Sequence, residues 1–177
     1  MENDNVSDNL IELPGSVEDY GSVEQRDSLL NMVNRSQTPE EARGVIHAFD
    51  QMRRIGHKLV NVSLHYKGNQ GLDLIFQSQD GHLGTYAVME AKHGKGPDSL
   101  AVDENGFVQG SPEYNKDRLG RYLDYGDKTQ MAMAKKLLAL QYSGKLKSYA
   151  AFYGSKSLYE LLPVEDDSKK IKTVLIP

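Results

Sequence analysis

From residue 38 onward, apolar and polar positions divide the chain into a definite order of elements. "TPEEARGVIHAFDQMRRIG" opens with Thr38 as an N-cap, Pro39 at the first helical position and Glu41 placed to close a capping box. Ala42, Val45, Ile46, Phe49 and Met52 then recur at helical spacing, and Gly56 ends the run. Residues 58–66 alternate as a strand, and 72–77 and 84–93 predict two more. A Gly/Pro/Asp-rich stretch over 94–109 and a polar segment lead to a helix within 127–144, then a fourth strand over 146–154. "LYELLPV" and "IKTVLIP" read as short final strands, and no internal repeat is visible. The order helix, three strands, helix, strand predicts an α/β or α+β fold, a sheet layered with helices.

Charge separates this domain from what precedes it. The chain carries a net charge of −4, but residues 1–45 hold ten acids and three arginines while residues 46–177 hold 15 acids and 18 Lys/Arg. Residues 1–37 therefore read as an acidic leader with one short helix, near 23–34, adding little to the core; residues 38–177 read as the domain proper. The mildly basic domain is compatible with a nucleic-acid partner. Cysteine is absent, which excludes disulfides, a thiol nucleophile and Cys-ligated zinc. No window approaches the roughly 18 apolar residues of a membrane span, and "MENDNVSDNL" lacks the basic-then-apolar pattern of a secretory signal.

The candidate chemistry lies in "TYAVMEAKHGKG", residues 85–96, where an apolar strand ends in Glu90 and Lys92. Two residues apart on a strand, they project from one face. Upstream, Asp80-Gly81 is a strong turn signal. A two-residue turn there sets Gln77 against Gly84 and Asp73 against Val88, so Asp73 shares the face of Glu90 and Lys92. The diagonal Asp73–Glu90 pair would then lie about 7–8 Å apart at the backbone. A slip of one residue would send Asp73 to the other face; any even-length loop keeps it. Two converging carboxylates repel and are costly to desolvate. A hard cation resolves that conflict, most naturally Mg²⁺, with Mn²⁺ or Zn²⁺ as alternatives. Such an ion lowers the pKa of a bound water and neutralises charge developing on a phosphate, while Lys92 orients the water or stabilises that charge. The plainer alternative is an exposed ion pair of little weight. A comparable triplet, Asp167-Ser168-Lys169, lies in a run of charged and small residues and reads as a solvated turn.

At "GLDLIF" and "YAVMEAKHG" the chain resembles the PD-(D/E)XK nuclease superfamily, in which an acid starts the second core strand and a (D/E)-x-K triplet ends the third. The proline that often precedes the first acid is Leu72 here. With Gln130-Met131 on the following helix, the layout is similar to nuclease domains of bacterial polymorphic toxins, including contact-dependent inhibition toxins. The likeness covers about residues 38–155 and implies a restriction-endonuclease-like core: a central mixed sheet flanked by helices. It implies Asp73, Glu90 and the Ala91 carbonyl as metal ligands, Lys92 as the catalytic lysine, Glu41 as a helix acid of the site, and Gln130 near the scissile bond. His93, Arg118, Arg121 and Lys128 are the candidates for phosphate contact. As expectations, the protein is an endonuclease toxin, carried by a larger secreted effector, acting in the target-cell cytoplasm on DNA or tRNA, with DNA favoured, and neutralised by an immunity protein. The alternatives are a housekeeping repair or restriction nuclease and, against the intact Asp/Glu/Lys set, a non-catalytic nucleic-acid-binding module.

Overall fold

The computed structural model describes residues 10–12, 23–36, 38–63, 74–78, 85–164 and 171–177. Its strands are β1 (Leu10–Glu12), β2 (His57–Ser63), β3 (Leu74–Ser78), β4 (Tyr86–Lys92), β5 (Leu146–Phe152), β6 (Ser157–Leu162) and β7 (Lys172–Ile176). Its helices are α1 (Val23–Ser36), α2 (Pro39–Arg54), α3 (Pro112–Tyr125) and α4 (Lys128–Tyr142). The strands form one seven-stranded sheet in the order of the chain. Every pairing is antiparallel except β4 with β5, which run parallel, as a connection through α3 and α4 permits. The fold is α+β, a mixed sheet flanked by helices. No helix among the described residues is long and apolar enough to cross a membrane.

Period-two alternation sends the two faces of each central strand into different layers. On one face Ala87 and Met89 of β4, with Leu74 and Phe76 of β3, pack against Ala42, Phe49 and Met52 of α2. On the other face Ile75 and Val88 meet Leu119 and Tyr122 of α3 and Ala134 and Leu137 of α4. A strand covered on both sides carries few polar positions. That gives Glu90 its significance: it follows three buried apolar residues on β4 and is itself buried.

Three expectations are corrected here. First, the acidic leader does contribute to the core. Leu29 and Val33, four residues apart on α1, are fully buried in the cluster that holds Phe49, Phe76 and Met89. The Gln25 side chain donates to the Leu59 carbonyl (2.9 Å), and Arg26 grips Asp50 of α2 through two bonds of 2.9 and 3.0 Å. That ion pair raises the Arg26 pKa, chiefly by the hydrogen bond to Asp50. The low apolar content of the leader concealed this docking because two well-placed residues suffice to anchor a helix.

Second, the polar segment before the second predicted helix is itself helical. Ser111 caps α3 by accepting from the Tyr114 amide, and Pro112 occupies the first turn. Its buried face carries Asn115 and Arg118 among Tyr114, Leu119 and Tyr122, so polar residues interrupt the apolar stripe by which such a helix is recognised. Third, the β3–β4 register differs by two residues from the expected one. Gln77 faces Tyr86 and Ile75 faces Val88, and the Ser78 amide donates to the Thr85 carbonyl. The register is therefore not the one a two-residue turn at Asp80-Gly81 would give; that dipeptide, like Asp73 and the Asp167–Lys169 triplet, lies outside the described residues. The offset is even, so the parity of the hairpin is the one expected: Ile75, Val88 and Glu90 share a face.

Burial of α1 sets the first prediction. Leu29→Ala should lower unfolding stability by about 2–5 kcal/mol, the usual cost of a core leucine truncation. Removing residues 1–36 should abolish the cooperative transition. Urea unfolding followed by circular dichroism reads both, and an unchanged midpoint in the truncated chain would show that α1 is dispensable.

Candidate active site

Glu90 sits on the central strand facing the α3/α4 layer, beside Ala150 across the parallel pairing. Only 4% of it is exposed. An ionised carboxylate in such a place is costly unless it is paired and hydrogen-bonded. Both forms of compensation reach one oxygen: Lys92 Nζ lies 3.1 Å from Glu90 Oε1, and Gln109 Nε2 donates to that atom at 2.7 Å. The lysine remains partly in contact with solvent, with 27% of its side chain exposed. The site therefore has an inner carboxylate and an outer ammonium, held together by the strand period itself.

The loop between β4 and α3 completes the enclosure. Gly110 lies against Glu90 so closely that a Cβ there would come within 2.9 Å of Glu90 Cβ, and its φ of +83° belongs to the left-handed region. Asn115, only 1% exposed, donates to the Gly110 carbonyl (3.2 Å) and to Ser148 Oγ of β5 (3.0 Å). Farther along the loop, Asp103 accepts from the amides of Asn105 and Phe107 and from Arg118 Nη2. Arg118 is thereby fixed between Asp103 and Asp117, with its guanidinium 4.3 Å from the Tyr114 ring centre. Gln109, Gly110 and Asn115 carry no local sequence pattern that marks these roles. A capping signal at "GSPEY", Ser111 followed by Pro112, was present and would have placed a helix directly after the loop.

The expected site residues fall into different places. Glu90, Ala91 and Lys92 end β4 as anticipated. Asp73 lies outside the described residues. Glu41 is exposed and closes the capping box of α2: its Oε2 accepts from the Thr38 amide (3.1 Å). Its helix nevertheless reaches the site strand, because Gly44, one turn on, lets α2 approach the Lys92 backbone; a Cβ there would be 3.4 Å from the Lys92 carbonyl. Gln130 is buried and forms the equivalent box on α4, where its Oε1 accepts from the Asp127 amide. Arg118, expected at a phosphate, is buried in the loop network. Arg121 pairs with Glu104 and Asp117. Lys128 begins α4 on an exposed turn. Among the described residues no three His, Asp or Glu side chains gather as a metal cage, and Glu90 is the carboxylate the site contributes.

Just beyond Lys92, a group of rings closes the same end of the sheet. Tyr153 donates its amide to the Lys92 carbonyl (2.9 Å) and stacks on His93, with ring centres 5.6 Å apart. The Lys156 ammonium lies over the Tyr153 ring, and His47 of α2 meets that ring edge-on at 6.0 Å. The His47 pKa is pushed below its ordinary 6.5, first by burial and then by Lys156, with Asp50 opposing. No protein-family model, curated protein or solved structure matches the chain.

Two predictions arise from this geometry. Gly110→Ala meets both a strained φ and the Glu90 side chain, whereas Gly106→Ala meets a similar φ of +81° in open space. Both variants should lose stability, Gly110→Ala by at least about 1 kcal/mol more because the contact adds to the backbone strain; equal melting temperatures would remove the contact from the account. For His47, the unfolded chain takes up the proton first as pH falls, so this contribution is intact above about 6.5 and is lost progressively below it. The fall in unfolding free energy between pH 7 and pH 5 should be smaller in His47→Gln than in the wild type.

Proposed function

We propose that the protein is a divalent-metal-dependent endonuclease built on a restriction-endonuclease-like core, with Glu90 and Lys92 at its centre. The observation that carries this reading is a carboxylate kept in the apolar interior at the end of a central strand, with an ammonium two residues on reaching back to it at 3.1 Å. A purely structural role would be served as well by an apolar side chain of similar size, since buried ion pairs seldom add stability over well-packed carbon. Retaining the charge fits a site that must hold a cation or polarise water.

In this reading Asp73 is the partner acid. The even register of the hairpin supports that role, because Ile75 faces Val88 and residues two apart share a face. Asp73 and Glu90, with the Ala91 carbonyl, would hold the metal. Hard oxygen donors of that kind suit Mg²⁺ or Mn²⁺. When bound, the ion supplies charge neutralisation at the scissile phosphate and a more acidic water. Lys92 holds its proton towards the attacking or leaving oxygen and stabilises charge that grows there. Gln109, which shares Glu90 Oε1 with Lys92, fixes the carboxylate plane. The buried loop around Gly110 keeps bulk water from the carboxylate on its other side.

The resemblance to polymorphic toxin nucleases extends the proposal: the domain acts in a target cell on DNA or tRNA, and a dedicated immunity protein protects the producer. Such an inhibitor would be acidic towards the catalytic face and would associate more slowly as salt rises. The test incubates purified protein with plasmid DNA and total tRNA, with Mg²⁺ and with EDTA. Cleavage should require the metal, and Asp73→Asn, Glu90→Gln and Lys92→Ala should each reduce it by at least about a hundredfold. Full activity in Glu90→Gln would overturn the assignment. Harmless expression in cells alongside activity in vitro would replace the toxin role with one in repair or restriction.

A further inference from the structure

A cleft of about 790 Å³ runs between α4 and the β2–β4 part of the sheet. Its rim is basic: Lys58 from β2, with Lys128 and Lys136 from α4. No acidic residue is among the described residues that line it, although acids outnumber Lys/Arg by 25 to 21 over the chain. Its floor is apolar, formed by Val60, Ile75 and Met133. Lys136 is held over the cleft by Tyr86, its Nζ donating to the phenolic oxygen at 2.7 Å and lying 4.6 Å from the ring centre. Lys128 and Lys136 are separated by about 12 Å along the helix axis at 1.5 Å per residue.

α4 feeds β5 beside Tyr86, where the Tyr86 amide donates to the Lys145 carbonyl. The cleft thus borders the start of β4, the strand that carries Glu90 and Lys92 at its far end.

We infer that this cleft binds single-stranded nucleic acid, with phosphates on the lysine rim and unstacked bases on the apolar floor. A duplex exposes phosphates and sugars and turns its bases inward, so it would meet the lysines and leave the recessed floor empty. Unpaired bases can turn into such a recess, as in proteins that combine a basic track with apolar or aromatic platforms. The substrate class is then an unpaired segment, an RNA loop or a melted DNA end. As a statement about substrate this rests on the nuclease reading; the binding itself does not require it.

The experiment measures fluorescence anisotropy of labelled oligo(dT), oligo(U) and a duplex of matched charge, all in EDTA so that nothing is cleaved. Both single strands should bind at least tenfold more tightly than the duplex. Lys58→Glu/Lys136→Glu should lose at least tenfold of single-strand affinity, and the slope of log K against log salt should shrink by about 1.4, two phosphate contacts on a single strand. A charge-matched pair outside the cleft, Lys116→Glu/Lys145→Glu, should lose much less. The milder Lys58→Gln/Lys136→Gln pair, checked for a native circular dichroism spectrum, should lose affinity in the same direction. Equal or tighter duplex binding, or an equal loss in the control pair, would overturn the inference. If Mg²⁺-dependent cleavage persists with that outcome, only the cleft assignment falls; if strand preference holds without cleavage, only the nuclease reading does.

Discussion

A carboxylate placed inside an apolar sandwich governs much of the architecture around it. Glu90 could not be tolerated between Val88 and Ala150 without a cation and a hydrogen-bond donor within reach. Lys92 is supplied by the strand itself, through the two-residue period. Gln109 must be brought from a distance, and the loop that brings it is anchored at both ends: by the buried Arg118–Asp103 pair and by Asn115, which ties Gly110 to Ser148. α3 owes its buried polar residues to this task. A helix that only covered the sheet would carry leucine where Asn115 and Arg118 stand.

The opposite face follows a simpler logic. α1 and α2 press apolar stripes onto the sheet, and α2 comes close at Gly44, where absence of a side chain brings it to the Lys92 carbonyl. Both layers thus converge on the end of β4. One anchors the loop that carries Gln109 to Glu90, and the other fixes the backbone that carries Lys92. Displacement of either helix layer would be felt at the same two residues.

The sequence disclosed those parts of the molecule that obey a local rule. Thr38, Pro39 and Glu41 announced α2 because capping is decided within four residues, and the Glu90–Lys92 relation followed from strand periodicity alone. What depended on distant partners was hidden. Leu29 and Val33 look unremarkable in an acidic segment until the sheet they cover exists. Arg118 looked like a surface group, and its burial depends on Asp103, fifteen residues away. The hairpin register was displaced by two because a dipeptide signal does not fix which residues lie midway between the paired strands. Parity survived, since it depends only on whether the loop is even.

The parallel seam between β4 and β5 has a consequence for how the molecule comes into being. On either side of it lie antiparallel neighbours joined by short connections, β2 to β4 on one side and β5 to β7 on the other, while β1 joins β2 only across α1 and α2. Such neighbours find each other over short separations, whereas the seam waits for the long excursion through α3 and α4 to close. Lys92 and Glu90 lie on one lip of that seam; Ser148 and Ala150 lie on the other, and Gln109 belongs to the excursion. The carboxylate therefore acquires its enclosure only when the two halves dock, so closure of the sheet and assembly of the Glu90 site are the same late event. An unfinished chain would carry Glu90 and Lys92 without the surroundings that organise them.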